Sequence, residues 1–178
     1  MPRFSLRRRK GTVVVLAILL LVAYRVWQDR QEAPPPEALT EEIYTVERVV
    51  DGDTLLLENR ARVRLMGVDA PESVKPDHPV EPFGPEASQF TRDFVARGGN
   101  RVRLQFDKER VDQYGRFLAY VFVGDAMLNE ELIRAGLATA ETGYRFSPSV
   151  KTRFRRAEEE AKSARRGIWS REPSPANL

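Results

Sequence analysis

The chain has 178 residues, 42% of them apolar, enough for one compact domain with extensions. It has no cysteine and a single histidine, His78, which excludes disulfides, thiolate metal sites, cysteine nucleophiles and any histidine pair. The net charge of +3 is local: seven of the 29 basic and one of the 26 acidic residues lie in the first 30, leaving 22 against 25 beyond, so bulk charge gives no support to nucleic-acid binding and carboxylates and arginines must carry any chemistry.

Residues 1–11 are a basic n-region, followed by the apolar run "GTVVVLAILLLVAYRVW". This order predicts a signal anchor over 12–28, an N-terminal hydrophobic helix in the membrane. The unbroken stretch from Thr12 to Tyr24 is short against the roughly 20 residues that span a bilayer. Arg25 can snorkel, and Val26 and Trp27 extend the run to the interface. No small-x-small cleavage motif follows, so an uncleaved anchor is favoured over a cleaved signal that would release a secreted protein. Basic residues stay inside, which puts the rest of the chain on the periplasmic or extracellular side. Residues 29–42, "DRQEAPPPEALTEE", read as a stiff solvated linker.

A globular domain is expected over 43–170, with 171–178 a disordered tail. Ile43–Val50 alternates and is β-branched, and Asp51-Gly52-Asp53 is a turn signal. Thr54–Glu58 and Ala61–Val68 predict two further strands joined tightly at Asn59-Arg60. Prolines make 70–85 an irregular loop. Ala87, Phe90, Phe94 and Gly98 fall at helical spacing, and Gly98-Gly99 ends that helix. Arg101–Phe106 and Phe117–Val123 predict strands. Asn129 is placed to cap a short helix ending at Gly136. Phe154, Ala157, Ala161, Ala164 and Ile168 form the stripe of a terminal helix with a solvated Arg/Glu face, and Trp169 packs at its apolar end. The expected class is α+β: five antiparallel strands with three helices, a small Greek-key barrel of the oligonucleotide-binding type (OB-fold).

Asp53 closes one strand connection and Asp69 ends the third strand; in a meander such ends can be neighbours. Carboxylates brought together repel, so Arg64, Arg116 or a metal ion must offset them. All-oxygen ligation suits a hard cation, Ca²⁺ or Mg²⁺, and the EF-hand register is missing. A metal, the further carboxylate Glu72 and two arginines suit phosphodiester hydrolysis. The cation and guanidiniums would stabilise charge on the phosphoryl oxygens, and Glu72 would orient or deprotonate water. Asp51, Asp107 and Asp112 read as hydrogen-bonding turn residues, and His78 as a solvated loop residue.

"VVDGDTLLL", "VRLMGVDAPE", "FGPEASQFTRDFV", "DQYGRFLAYVFV", "NEELIRAGLA" and "GIWS", in this order, resemble the staphylococcal nuclease (thermonuclease) family from Ile43 to Ser170. The resemblance implies a five-stranded OB-fold with three helices. It implies a Ca²⁺-dependent endonuclease that cuts DNA and RNA, single-stranded or unpaired, to 3′-phosphate ends. Asp53 and Asp69 match the family's Ca²⁺ ligands, and the Ala70 carbonyl a third. Arg64 and Arg116 match the phosphate-clamping arginines and Glu72 the carboxylate assigned to the attacking water. Tyr114 matches a residue near a terminal phosphate, and Tyr144 an aromatic that packs on the nucleotide. Gln113 stands where the family has lysine, Thr142 replaces a second tyrosine, and Lys75 is the one base in a loop that is lysine-rich elsewhere. Each lost phosphate contact weakens the grip and flattens the salt dependence. A monomer is expected. The alternatives are a non-catalytic nucleic-acid- or protein-binding module on the same barrel, as in Tudor-staphylococcal-nuclease proteins, and a phosphodiester hydrolase acting on another substrate.

Overall fold

The first strand, β1 (Ile43–Asp51), serves two neighbours. Its start pairs with β5 (Arg101–Gln105), and its end pairs with β2 (Thr54–Leu57). Irregularities between Val46 and Arg48 and between Val49 and Asp51 let it bend from one to the other, as β-bulges do. This computed structural model describes residues 39–73 and 80–170, together with Leu21. The expected anchor over 12–28 lies outside the described residues apart from Leu21, as do 29–38 of the linker, Lys75 and His78 in the proline-rich loop, and the tail 171–178. Among the described residues no helix is long and apolar enough to cross a membrane.

β3 (Arg62–Leu65), β4 (Val68–Asp69), α1 (Gly84–Arg97), β6 (Phe117–Val123), β7 (Ala126–Met127), α2 (Leu128–Arg134), β8 (Thr139–Ala140), α3 (Pro148–Ser163) and a 3-10 turn (Gly167–Trp169) complete the element order. The sheet runs β3-β2-β1-β5-β6-β7, and a further β3–β6 pairing closes β1, β2, β3, β5 and β6 into a barrel. That closing pair is parallel, with Val63 opposite Phe117 and Leu65 opposite Ala119, which corrects the expectation of an all-antiparallel barrel. The excursion through α1 and β5 is long enough to bring β6 back in the direction of β3, which a hairpin cannot do.

Two further expectations are corrected. The strand predicted over Ala61–Val68 breaks after Leu65. Gly67 takes φ +72°, and a Cβ there would stand 2.7 Å from the Phe146 ring. The turn sends Val68 and Asp69 onto β8 instead, opposite Ala140 and Thr139. Asn129 caps nothing: the N-cap of α2 is Met127, and Asn129 is fully buried. Its Oδ1 accepts the Val121 N–H at 2.9 Å, and its Nδ2 donates to the carbonyls of Met66 (2.9 Å) and Ala119 (3.2 Å). A buried amide persists where every group finds a partner.

Alternation fails in β2 and along most of β6, which are buried on both faces. For β6 the barrel interior covers one face, and α1 and α2 pack on the other. Phe94 and Val95 of α1, Leu132 and Ile133 of α2, and Phe154 and Ala157 of α3 join Leu55, Leu57, Val63, Leu65, Leu104 and Phe117 in one core. α3 stops at Ser163, so Ala164 and Ile168 of the predicted stripe lie beyond it; Arg165 turns the chain with φ +51°. Trp169 is half-buried beneath the Lys162 ammonium, 4.5 Å from its ring. Packing reaches back to Leu39, which is fully buried and whose carbonyl accepts from Arg110 at 2.6 Å.

Candidate active site

β1 runs out into Asp51-Gly52-Asp53, and α1 clamps that turn. Thr91 Oγ1 donates to the Gly52 carbonyl at 2.6 Å. A Cβ on Gly52 would meet the Cβ atoms of Ala87 and Ala70 at 2.8 and 2.9 Å, so only glycine lets helix and loop close on the turn. Asp51 Oδ1 accepts from the Gly52 N–H (2.8 Å), Ser73 Oγ (2.5 Å) and Ser88 Oγ (3.2 Å). Asp51 is thus the knot between turn, loop and helix. Asp53 is left on the floor of a cleft, 3% exposed. Its Oδ1 accepts from the Thr54 hydroxyl at 2.8 Å and its Oδ2 from the Ala70 N–H at 3.3 Å.

Arg64, on β3, reaches across the same floor. Its Nη1 lies 2.7 Å from Asp53 Oδ2, and its Nη2 donates to Asp69 Oδ1 at 3.0 Å and to the Val68 carbonyl at 3.2 Å. Asp53 and Asp69 therefore flank one guanidinium, the first buried and the second open to solvent. Arg64 Nε is buried with no acceptor among the described residues. Glu72 is fixed through its backbone: its N–H donates to Glu81 Oε2 at 3.1 Å, and its carbonyl accepts the Glu81 N–H at 2.9 Å.

Arg116 enters β6 from a tight turn that Asp112 organises. Asp112 Oδ1 accepts the N–H groups of Tyr114 (2.8 Å) and Arg116 (3.0 Å), while its Oδ2 accepts from Arg116 Nε at 2.7 Å. The Arg116 guanidinium carbon lies 5.4 Å from the Tyr114 ring centroid. Asp53, Arg64, Asp69, Ala70, Glu72 and Arg116 all line one cleft of about 200 Å³. Tyr144 lies in an adjoining cleft of about 360 Å³ that shares Arg64 and Asp69. Tyr114 is exposed beside Arg116, in neither cleft's lining.

Burial drives the Asp53 carboxyl above its usual range; Arg64, the Thr54 hydroxyl and the Ala70 amide oppose the rise, and Asp51 adds to it. Burial also works against the charge on Arg64, yet Asp53, Tyr144 and Asp69 together hold its pKa above the ordinary value. Arg64 alone thus does not cancel the desolvation of Asp53, and a further positive charge on this floor would be stabilised. The donors at hand are oxygens of Asp53, Asp69 and the Ala70 backbone, a set that fits a hard cation completed by water or substrate. Among the described residues no three His, Cys, Asp or Glu side chains gather for a metal, so a closed protein cage is not available.

Sequence reasoning missed the work of Asp112, read as a turn residue. It builds the turn and also holds Arg116, and its place four residues before the arginine was the available signal. It missed Thr54 too, which carried no signal beyond adjacency to Asp53. The family model described as "Staphylococcal nuclease homologue" matches residues 62–171. The chain is 38% identical to the thermonuclease of Staphylococcus hyicus over 168 residues, covering 90% of this chain and 96% of that one. The chain belongs to the staphylococcal nuclease family. The thermonuclease of Staphylococcus intermedius is 40% identical over 164 residues (89% of this chain, 95% of the relative). Endonuclease YncB of Bacillus subtilis is 40% identical over 133 residues (71% and 61%). The family model starts at Arg62, after the turn that carries Asp53. The longer alignment spans too much of the chain to omit that turn. This staphylococcal nuclease homologue therefore resembles its relatives across both halves of the cleft.

Proposed function

We propose that the chain is a Ca²⁺-dependent endonuclease that hydrolyses phosphodiester bonds of DNA and RNA to 3′-phosphate ends. The single observation that carries this reading is the convergence of Asp53, Arg64, Asp69, Glu72 and Arg116 on one small cleft, in a chain of the staphylococcal nuclease family. Asp53, Asp69 and the Ala70 carbonyl would hold the cation, which when bound supplies Lewis-acid stabilisation of phosphoryl charge. Arg64 and Arg116 bind the non-bridging oxygens of the scissile phosphate; each planar fork matches two of them. Asp112 keeps the Arg116 fork oriented before substrate arrives, so less orientational freedom is lost in the reaction. Glu72 accepts a proton from the attacking water or aligns it in line with the 5′-oxygen. The water oxygen bonds to phosphorus, the P–O5′ bond breaks, the departing 5′-oxygen takes a proton from solvent to become a hydroxyl, and Glu72 returns its proton to solvent. Tyr114, under the Arg116 guanidinium, would meet a terminal phosphate, and Tyr144 would supply a face for the base.

The basic n-region and apolar run support a membrane-anchored enzyme whose catalytic domain faces the periplasm or the exterior, with release by signal cleavage the alternative. A monomer suffices, since one chain supplies every group named.

The deciding assay incubates the purified protein with single-stranded DNA and RNA in Ca²⁺ and in chelator. Cleavage with Ca²⁺ alone, giving ends that a phosphatase trims at the 3′ side, is the expected result. No cleavage in either condition rejects the reading.

A further inference from the structure

The cleft beside the catalytic one is lined by Arg64, Asp69, Glu109, Glu141, Gly143 and Tyr144. Arg64 and Asp69 belong to both clefts, so a nucleotide whose phosphate rests on Arg64 has its base within reach of the second. The walls there combine one aromatic ring with fixed acceptors. Glu141 Oε1 accepts the Gly143 N–H at 2.7 Å, and Glu109 Oε2 accepts the Arg145 N–H at 2.8 Å. Each carboxylate is thus anchored through one oxygen, and the other has no partner among the described residues. Carboxylates repel a phosphate chain, so these two do not serve grip on the backbone. Glu141 is exposed and Glu109 half-buried, so a ligand in the cleft reaches both.

We infer that Glu109 and Glu141 select the base that enters this cleft beside Tyr144, and that they favour guanine over thymine or uracil. An ionised carboxylate only accepts hydrogen bonds. Guanine presents N1–H and the N2 amino group side by side, two donors for the open oxygens of these carboxylates. Adenine and cytosine offer one amino group each. Thymine and uracil offer a single N–H between two carbonyl oxygens, which the carboxylates repel. The ring of Tyr144 accepts any base face and so adds affinity without choice. The inference rests on the nuclease reading only in taking nucleic acid as the ligand.

The test titrates the full chain with 2′-deoxyguanosine 5′-monophosphate and with thymidine 5′-monophosphate by calorimetry, in Ca²⁺. Tighter binding of the guanine nucleotide by about tenfold is expected, at the scale of one bidentate base contact. A Glu109→Gln/Glu141→Gln double variant replaces acceptors with carboxamides, whose paired donor and acceptor suit thymine N3–H and O4. Its ratio is expected to fall below about twofold. In parallel, limited digestion of random single-stranded DNA should enrich guanine at one fixed offset from the cut. Equal affinities in the wild type, no binding of the guanine nucleotide at millimolar concentration, or an unchanged ratio in the double variant overturns the inference. Cleavage without base preference sinks it and leaves the nuclease standing. Guanine-selective binding without any cleavage sinks the nuclease and leaves this site standing.

Discussion

Arg116 and Asp112 show how one residue's role depends on another's. The guanidinium is part-exposed, but its Nε is committed to a nearly buried carboxylate, which leaves the remaining donors pointing as one rigid group. Arg116→Ala is expected to lower kcat about 10²- to 10³-fold, the scale of losing one preorganised donor to a developing anion, with the melting temperature little changed. Asp112→Asn should cost about tenfold in kcat on its own and almost nothing in the Arg116→Ala background. That non-additivity separates positioning from a merely structural turn. Equal losses in both backgrounds would remove Asp112 from the mechanism. The arginines, Glu72 and both calcium-ligand candidates could be named from motif and order. Their shared cleft could not, because no spacing says that Arg64 bridges Asp53 and Asp69.

Among the elements, α2 is the hinge of the packing. Asn129 ties it to the barrel through β6 and the Met66 turn, and Glu130 ties it to α3. Asn129→Ala would leave the Val121 N–H and the Met66 carbonyl buried without partners. A loss of roughly 2–5 kcal/mol is expected in denaturant unfolding. Burial works to raise the Glu130 carboxyl, but the guanidiniums of Arg153 and Arg134 outweigh it and hold it below the usual range. A depressed folded-state pKa gives stability that is full above the unfolded value, near 4.3, and is lost as pH falls through the lower folded value. Glu130→Gln should therefore lose about 1–3 kcal/mol at pH 7, the lower end because both guanidiniums are partly exposed. Its melting temperature should also fall less than the wild type's between pH 5 and pH 2. Parallel melting curves would contradict this. The sequence could not assign Asn129, because a polar residue opening a helical run looks the same whether it caps the helix or enters the core.

For the whole molecule, the core extends to Leu39, ahead of the first strand. Leu39→Ala is expected to cost about 2–4 kcal/mol in the full chain, as for other fully buried leucines. A change within about 0.5 kcal/mol would mean that this segment frays from the barrel. By itself, the amino-acid sequence determined most of what repeats locally. The long strands, the first and last helices, the hard-oxygen character of the acidic residues and the exclusion of disulfides, thiolates and histidine pairs follow from side-chain period and type, which the chain itself reveals. Tertiary structure alone decided the parallel closure of β3 on β6, the break at Gly67 that carries Asp69 to its place, and the second cleft with Glu109 and Glu141. Each is a contact between segments far apart in the chain. Such contacts are chosen by packing and loop closure over the whole domain, and no local pattern encodes them.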